Sequence, residues 1–88
     1  TLQAYDISNP STAPVAVGAA VATGAQPASV ALNAAGTRAY VVNSNGNTLQ
    51  AYDISSPGAA PVAVGAAVPT GLQPASVALN AAGTRAYV

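Results

Sequence analysis

The chain has 88 residues, 51% of them hydrophobic, and its four charged side chains, Asp6, Arg38, Asp53 and Arg85, cancel to zero net charge. That apolar content excludes a disordered segment, and the balanced charge gives no electrostatic ground for binding nucleic acid or an anionic membrane. With no Lys, Glu, His or Cys, the chain lacks most of the usual acids, bases and nucleophiles and has no disulfide or thiolate metal ligand.

A repeat organises everything else. Residues 1–41 align with 48–88 without a gap at a spacing of 47, and 36 of the 41 positions are identical. The differences are Asn9/Ser56, Ser11/Gly58, Thr12/Ala59, Ala22/Pro69 and Ala25/Leu72. A period of this length belongs to stacked or radial repeat architectures.

In chain order, "TLQAYDIS" at 1 and "PVAVGAAV" at 14 are copies of segments that return at 48 and 61. They read as the third and fourth strands of a four-strand unit. The intact unit follows. "ASVALN" (28–33) is its first strand, and "NAAG" (33–36) is a turn with Asn first and Gly36 fourth. "TRAYVVN" (37–43) is the second strand. "SNGN" (44–47) is a hairpin connection in which Asn45-Gly46 signals a two-residue type I′ turn. "TLQAYDI" (48–54) is the third strand, and "PVAVGAAV" (61–68) is the fourth. The chain then repeats the first two strands, with Gly83 in the place of Gly36. Alanine is the commonest residue, but Gly and Pro recur too often for helices, and the segments between them are short and rich in Val, Tyr, Leu and Thr.

The Asn45-Gly46 connection sets a register in which Asn43 faces Thr48, Val42 faces Leu49 and Arg38 faces Asp53. A slip by one would send the two charges to opposite faces. One face then carries Tyr40, Val42, Leu49 and Ala51, and the other carries Ala39, Val41, Gln50 and Tyr52. Neither face is polar, so both need cover, and with no helix to hand that cover is other sheets. Pro14, Pro61 and Pro69 mark the fourth strand as an edge. The fold class expected is all-β, with β-propeller blades of four antiparallel strands.

Residues 27–55, "PASVALNAAGTRAYVVNSNGNTLQAYDIS", resemble the YVTN-type β-propeller repeat. A proline-led strand, a Gly-Thr-Arg turn, a Tyr-Val strand ending in Asn and an Asn-Thr strand follow in the family's order. "AYDISNP" resembles the LVIVD-type repeat of secreted bacterial propellers. The chain departs from the pattern at "NAAG", where such repeats carry Asp-Gly, and in its longer 47-residue period. The resemblance implies a disc of blades around a channel and an extracellular or cell-surface location. It supplies no catalytic residues.

The division expected is a half blade over 1–22, a complete blade over 23–68 and a half blade over 69–88. Six residues, "VNSNGN" (42–47), separate two full periods from the 88 present. The half blades are complementary between copies, with Arg85 of one opposite Asp6 of the next. Such a contact is head-to-tail and closes a ring or grows a filament. The expectation is a homo-oligomeric ring of three or four chains, six or eight blades, acting as a scaffold without catalysis, cofactor or metal. Neighbouring repeats of a longer chain would supply the same contacts.

The alternative is a binding module for a glycan or peptide at the channel or rim. Tyr5, Tyr40, Tyr52 and Tyr87 could stack on such a ligand, although their strand positions favour packing between blades. A calcium ring of Asp6 and Asp53 is disfavoured by one carboxylate per repeat, paired with Arg. Ser29 and Ser76 have no visible base. No P-loop or dinucleotide fingerprint occurs.

Overall fold

The computed structural model describes residues 1–88. Eight strands and no helix form three antiparallel sheets. The first sheet pairs β1 (Leu2–Asp6) with β2 (Val15–Val21). The middle sheet orders β3 (Pro27–Leu32), β4 (Arg38–Asn43), β5 (Thr48–Asp53) and β6 (Val62–Pro69) in sequence. The third pairs β7 (Ala78–Leu79) with β8 (Ala86–Tyr87). The fourth strand of the unit, β6, is an outer edge as its prolines suggest, and Pro69 closes it opposite Thr48.

The β3–β4 turn forms as its sequence indicates. Gly36 N donates to Asn33 O at 3.0 Å, and Gly36 adopts φ 70. Asn33 reinforces the turn with its side chain. Its Oδ1 accepts from Thr37 N and Arg38 N at 2.9 and 3.0 Å, while its Nδ2 donates to Thr37 Oγ1.

The β4–β5 register is the one read from the sequence, from Asn43↔Thr48 to Arg38↔Asp53. The turn type is not. Neither Asn45 nor Gly46 has positive φ; Asn47 carries the left-handed conformation, at φ 53. The connection is therefore a four-residue loop over 44–47 rather than a type I′ turn. The cause is tertiary. Ser44 N donates to Gln26 O at 2.7 Å and Gly46 N to Ala25 O at 3.2 Å, so the loop docks on the segment leading into β3. Those distant carbonyls outweigh the local preference of Asn-Gly for a primed turn.

The β5–β6 ladder is interrupted. Ala51 faces Val64 and Leu49 faces Val68, so Gln50 alone opposes 65–67. Gly65 enters this bulge with φ 65, a conformation that suits a residue without Cβ. β1–β2 repeats the arrangement, with Gln3 opposite 18–20 and Gly18 at φ 67.

The sheets stack face to face. Ala39, Val41 and Tyr52 form a small buried core on one face of the middle sheet, joined by Leu2 of the first sheet and by Ile54. On the other face Val42 is fully buried, and Tyr40 lies beside Leu79, Thr84 and Ala86 of the third sheet segment. Each face is thus covered in part by a neighbouring sheet, over β4 and β5, while β6 and much of β3 stay exposed.

Candidate functional site

Two copies of one sequence lie in different surroundings in this chain, and the difference locates the surface of interest. Residues 26–41 and 73–88 have the same sixteen residues. In the middle sheet they form the six residues of β3 and, over 38–41, the first four residues of β4, which continues to Asn43. At 73–88 the ladder keeps the pairs Ala78↔Tyr87 and Leu79↔Ala86, the counterparts of Ala31↔Tyr40 and Leu32↔Ala39, while the partners that Pro27 and Ser29 find in Asn43 and Val42 have no counterparts among the 88 residues. The turn survives unchanged: Gly83 N donates to Asn80 O at 3.0 Å, and Asn80 Oδ1 accepts from Thr84 N and Arg85 N. The turn is a local structure.

Exposure tells the same story. Val41 is 2% exposed and its copy Val88 57%; Tyr52 is 2% exposed and its copy Tyr5 57%. β1 pairs only with β2, and β8 only with β7. Each therefore has one row of backbone donors and acceptors without a strand beside it, an edge that templates further pairing. β1 carries the sequence of β5, and β8 lies within the copy of β4. β4 and β5 pair inside the chain.

The charged side chains follow this division. Arg38 Nη1 lies 3.3 Å from Asp53 Oδ1 with both side chains more than a third exposed, so solvent screens the pair and it contributes little to stability. Arg38 also donates to Thr37 O. Asp53 has closer partners: its Oδ1 accepts from Ser55 N at 2.8 Å and Ser55 Oγ at 2.6 Å. These bonds, the hydroxyl first, hold its carboxyl below the ordinary range, with Arg38 a smaller cause. Asp6 accepts from Ser8 N at 2.8 Å in the same way. The Asp-Ile-Ser triplet is therefore first a strand-ending turn. Asp6 and Asp53 sit on different sheets, and Arg85 turns its Nη1 to Thr84 O.

Tyr52 lies between the first and middle sheets and donates its hydroxyl to Ala22 O. Tyr5 and Tyr87 are exposed and Tyr40 is half-buried. The open cleft between the first and middle sheets has a volume of about 360 Å³, with Leu2, Tyr5, Val30, Leu32, Pro57 and Pro61 among its walls. Those walls are apolar and bring few polar groups together, whereas ligand sites place several at defined positions.

Two roles had no forecast from sequence. Gln50 Nε2 donates to Ala51 O, Val64 O and Gly65 O at 2.9–3.3 Å, plugging the bulge, and Gln3 does the same with Ala4 O, Val17 O and Gly18 O. The signal was a Gln at one place in both copies, on an otherwise apolar face. Asn47 ties one unit to the next. Its carbonyl accepts from Thr70 N at 2.8 Å and its Oδ1 from Gln73 N at 2.7 Å.

No family model, no curated protein and no solved structure matches the chain.

Proposed function

We propose that the chain is a non-catalytic scaffold of β-propeller type, built from YVTN-like repeats, whose open strand edges are completed head-to-tail by a second copy of itself. β7 and β8 of one copy meet β1 and β2 of the next and rebuild the four-strand sheet of the middle unit. Arg85 then stands opposite Asp6 as Arg38 stands opposite Asp53. One observation carries this reading: β1 and β8 each pair on one side only, and they carry the sequences of β5 and β4, which pair with each other inside the chain. The occupant follows from the side chains, because the two edges carry the sequences that already pair in the β4–β5 hairpin.

Three or four copies would give a ring of six or eight blades. The lack of His, Cys, Lys and Glu supports a role without catalysis or cofactor. A place outside the cell or on its surface rests on the family resemblance alone. In a longer chain of such repeats, the neighbouring repeat would take the place of the second copy.

Light scattering coupled to size exclusion tests the assembly. The expected result is three or four times the 8.4 kDa of one chain. A folded monomer at that mass overturns the proposal, and an open-ended distribution replaces the ring with a filament. Arg85→Asp should weaken the assembly, and the charge-swapped pair Arg85→Asp with Asp6→Arg should restore it.

A further inference from the structure

The chain has six asparagines, and the fold engages five of their side chains: Asn9 with Ser11, Asn33 with Thr37 and Arg38, Asn43 with Thr48, Asn47 with Gln73, and Asn80 with Thr84 and Arg85. The sixth, Asn45, is exposed at the crest of the 44–47 loop with its carboxamide hydrogen-bonded to no protein group. It is also the one asparagine followed by glycine. We propose that Asn45 is a spontaneous modification site, converted by intramolecular attack of the Gly46 backbone nitrogen followed by hydrolysis.

The chemistry needs only water. The Gly46 amide nitrogen loses its proton to base and attacks Asn45 Cγ. A C–N bond forms, the Cγ–Nδ2 bond breaks and ammonia leaves, closing a five-membered imide. Water opens the imide at either carbonyl, giving aspartate or isoaspartate, with no change of oxidation state. Gly46 suits the step because no Cβ obstructs the approach of its nitrogen. At the other five asparagines, a side chain held by hydrogen bonds is less free to reach the required geometry, and the next residue bears a Cβ.

The outcome matters because the loop is a junction. Conversion takes the net charge from zero to minus one. Isoaspartate also adds a methylene to the backbone just before Gly46, displacing the N–H that Ala25 O accepts and the adjoining Asn47 that holds Thr70 and Gln73. A slow, self-timed lesion at Asn45 thus loosens the contact between successive units.

The test incubates the folded chain in neutral and mildly alkaline buffers and follows intact mass for the gain that replaces an amide by a carboxyl. Cleavage after Arg38 and Arg85 releases residues 39–85 for fragmentation. Conversion should localise to Asn45, quicken with pH and slow several-fold in Gly46→Ala. That variant should fold, since Gly46 has ordinary φ and its added Cβ would meet its nearest atoms only at 3.4 Å. The proposal is overturned if the folded chain keeps the Asn45 amide while the urea-unfolded chain loses it, which would show that the Gly46–Ala25 hydrogen bond protects the site. It is equally overturned if another asparagine converts first.

Discussion

Tyr52 donates its phenolic hydrogen to the carbonyl of Ala22 at 2.9 Å, joining two sheets across 30 residues of sequence. The ring is almost fully buried while its hydroxyl reaches a backbone acceptor, which suits a residue with an apolar body and a polar tip. Tyr52→Phe should cost about 0.5–1.5 kcal/mol, the usual net value of one hydrogen bond. Tyr52→Ala should cost about 3–5 kcal/mol because it leaves a cavity. Urea denaturation measures both. The equivalent change at exposed Tyr5 should cost far less in a dilute, unassembled chain.

Burial also raises the Tyr52 pKa above the ordinary 10.0. A folded value above the unfolded one means that the folded state holds the proton more tightly. The contribution is full below the unfolded pKa and fades as pH climbs through the folded one. Phenolate absorbance should therefore show a late-ionising tyrosine in an alkaline titration, and Tyr52→Phe should remove that step.

Asn47, not Gly46, should be the sensitive residue of the β4–β5 loop. Asn47→Val forces a branched side chain into left-handed backbone and also removes the acceptor for Gln73 N; strain of this kind costs about 1–3 kcal/mol. Asn47→Gly relieves the strain and loses only the acceptor, so it should be milder, and Gly46→Ala milder still. Thermal denaturation of the three variants gives the order. Gly46→Ala as the worst of them would restore the type I′ turn.

Gln50→Leu should destabilise by about 1–3 kcal/mol, because it strips a donor from the carbonyls of Val64 and Gly65 and leaves them facing an apolar group. Gln50→Glu should be no better at neutral pH, since a carboxylate cannot donate. Amide exchange along β6 should quicken in both.

Asp53 is held below the ordinary carboxyl range mainly by Ser55. A depressed folded pKa stabilises above the unfolded value of about 3.8, and the contribution disappears as pH falls through the folded value. Ser55→Ala should therefore raise the Asp53 pKa more than Arg38→Gln does, read by carboxyl-carbon NMR titration. The reverse order would restore the ion pair as the main cause.

The parts legible in the sequence are those decided within a few residues. Asn33 and Gly36 make their turn with or without a third strand alongside, since the same contacts recur at Asn80 and Gly83. The register of β4 on β5 was legible because one short connection and one charge pair fix it. The conformation of 44–47 was not, because the carbonyls of Ala25 and Gln26 decide it from the far side of a strand. The bulges at Gly18 and Gly65 were not legible, because a bulge is defined by the strand opposite. The extent of β7 and β8 was not legible either: the sequence of 73–88 repeats that of 26–41, but the pairs that Val42 and Asn43 make with Ser29 and Pro27 have no counterparts there.

Near-identity of the two copies also sets a sorting problem during folding. Over the residues they share, β8 could lie beside β5 in the place of β4 with the same side chains meeting, so complementarity cannot choose between them. Chain length can. The correct pair closes the four residues 44–47, whereas the impostor closes the 32 residues 54–85. An eightfold longer loop costs about 2 kcal/mol more closure entropy, roughly a thirtyfold bias toward the hairpin at 25 °C. Fidelity in this chain is therefore entropic, and lengthening the 44–47 connection with a flexible insert would erode it without altering a single native contact between the strands.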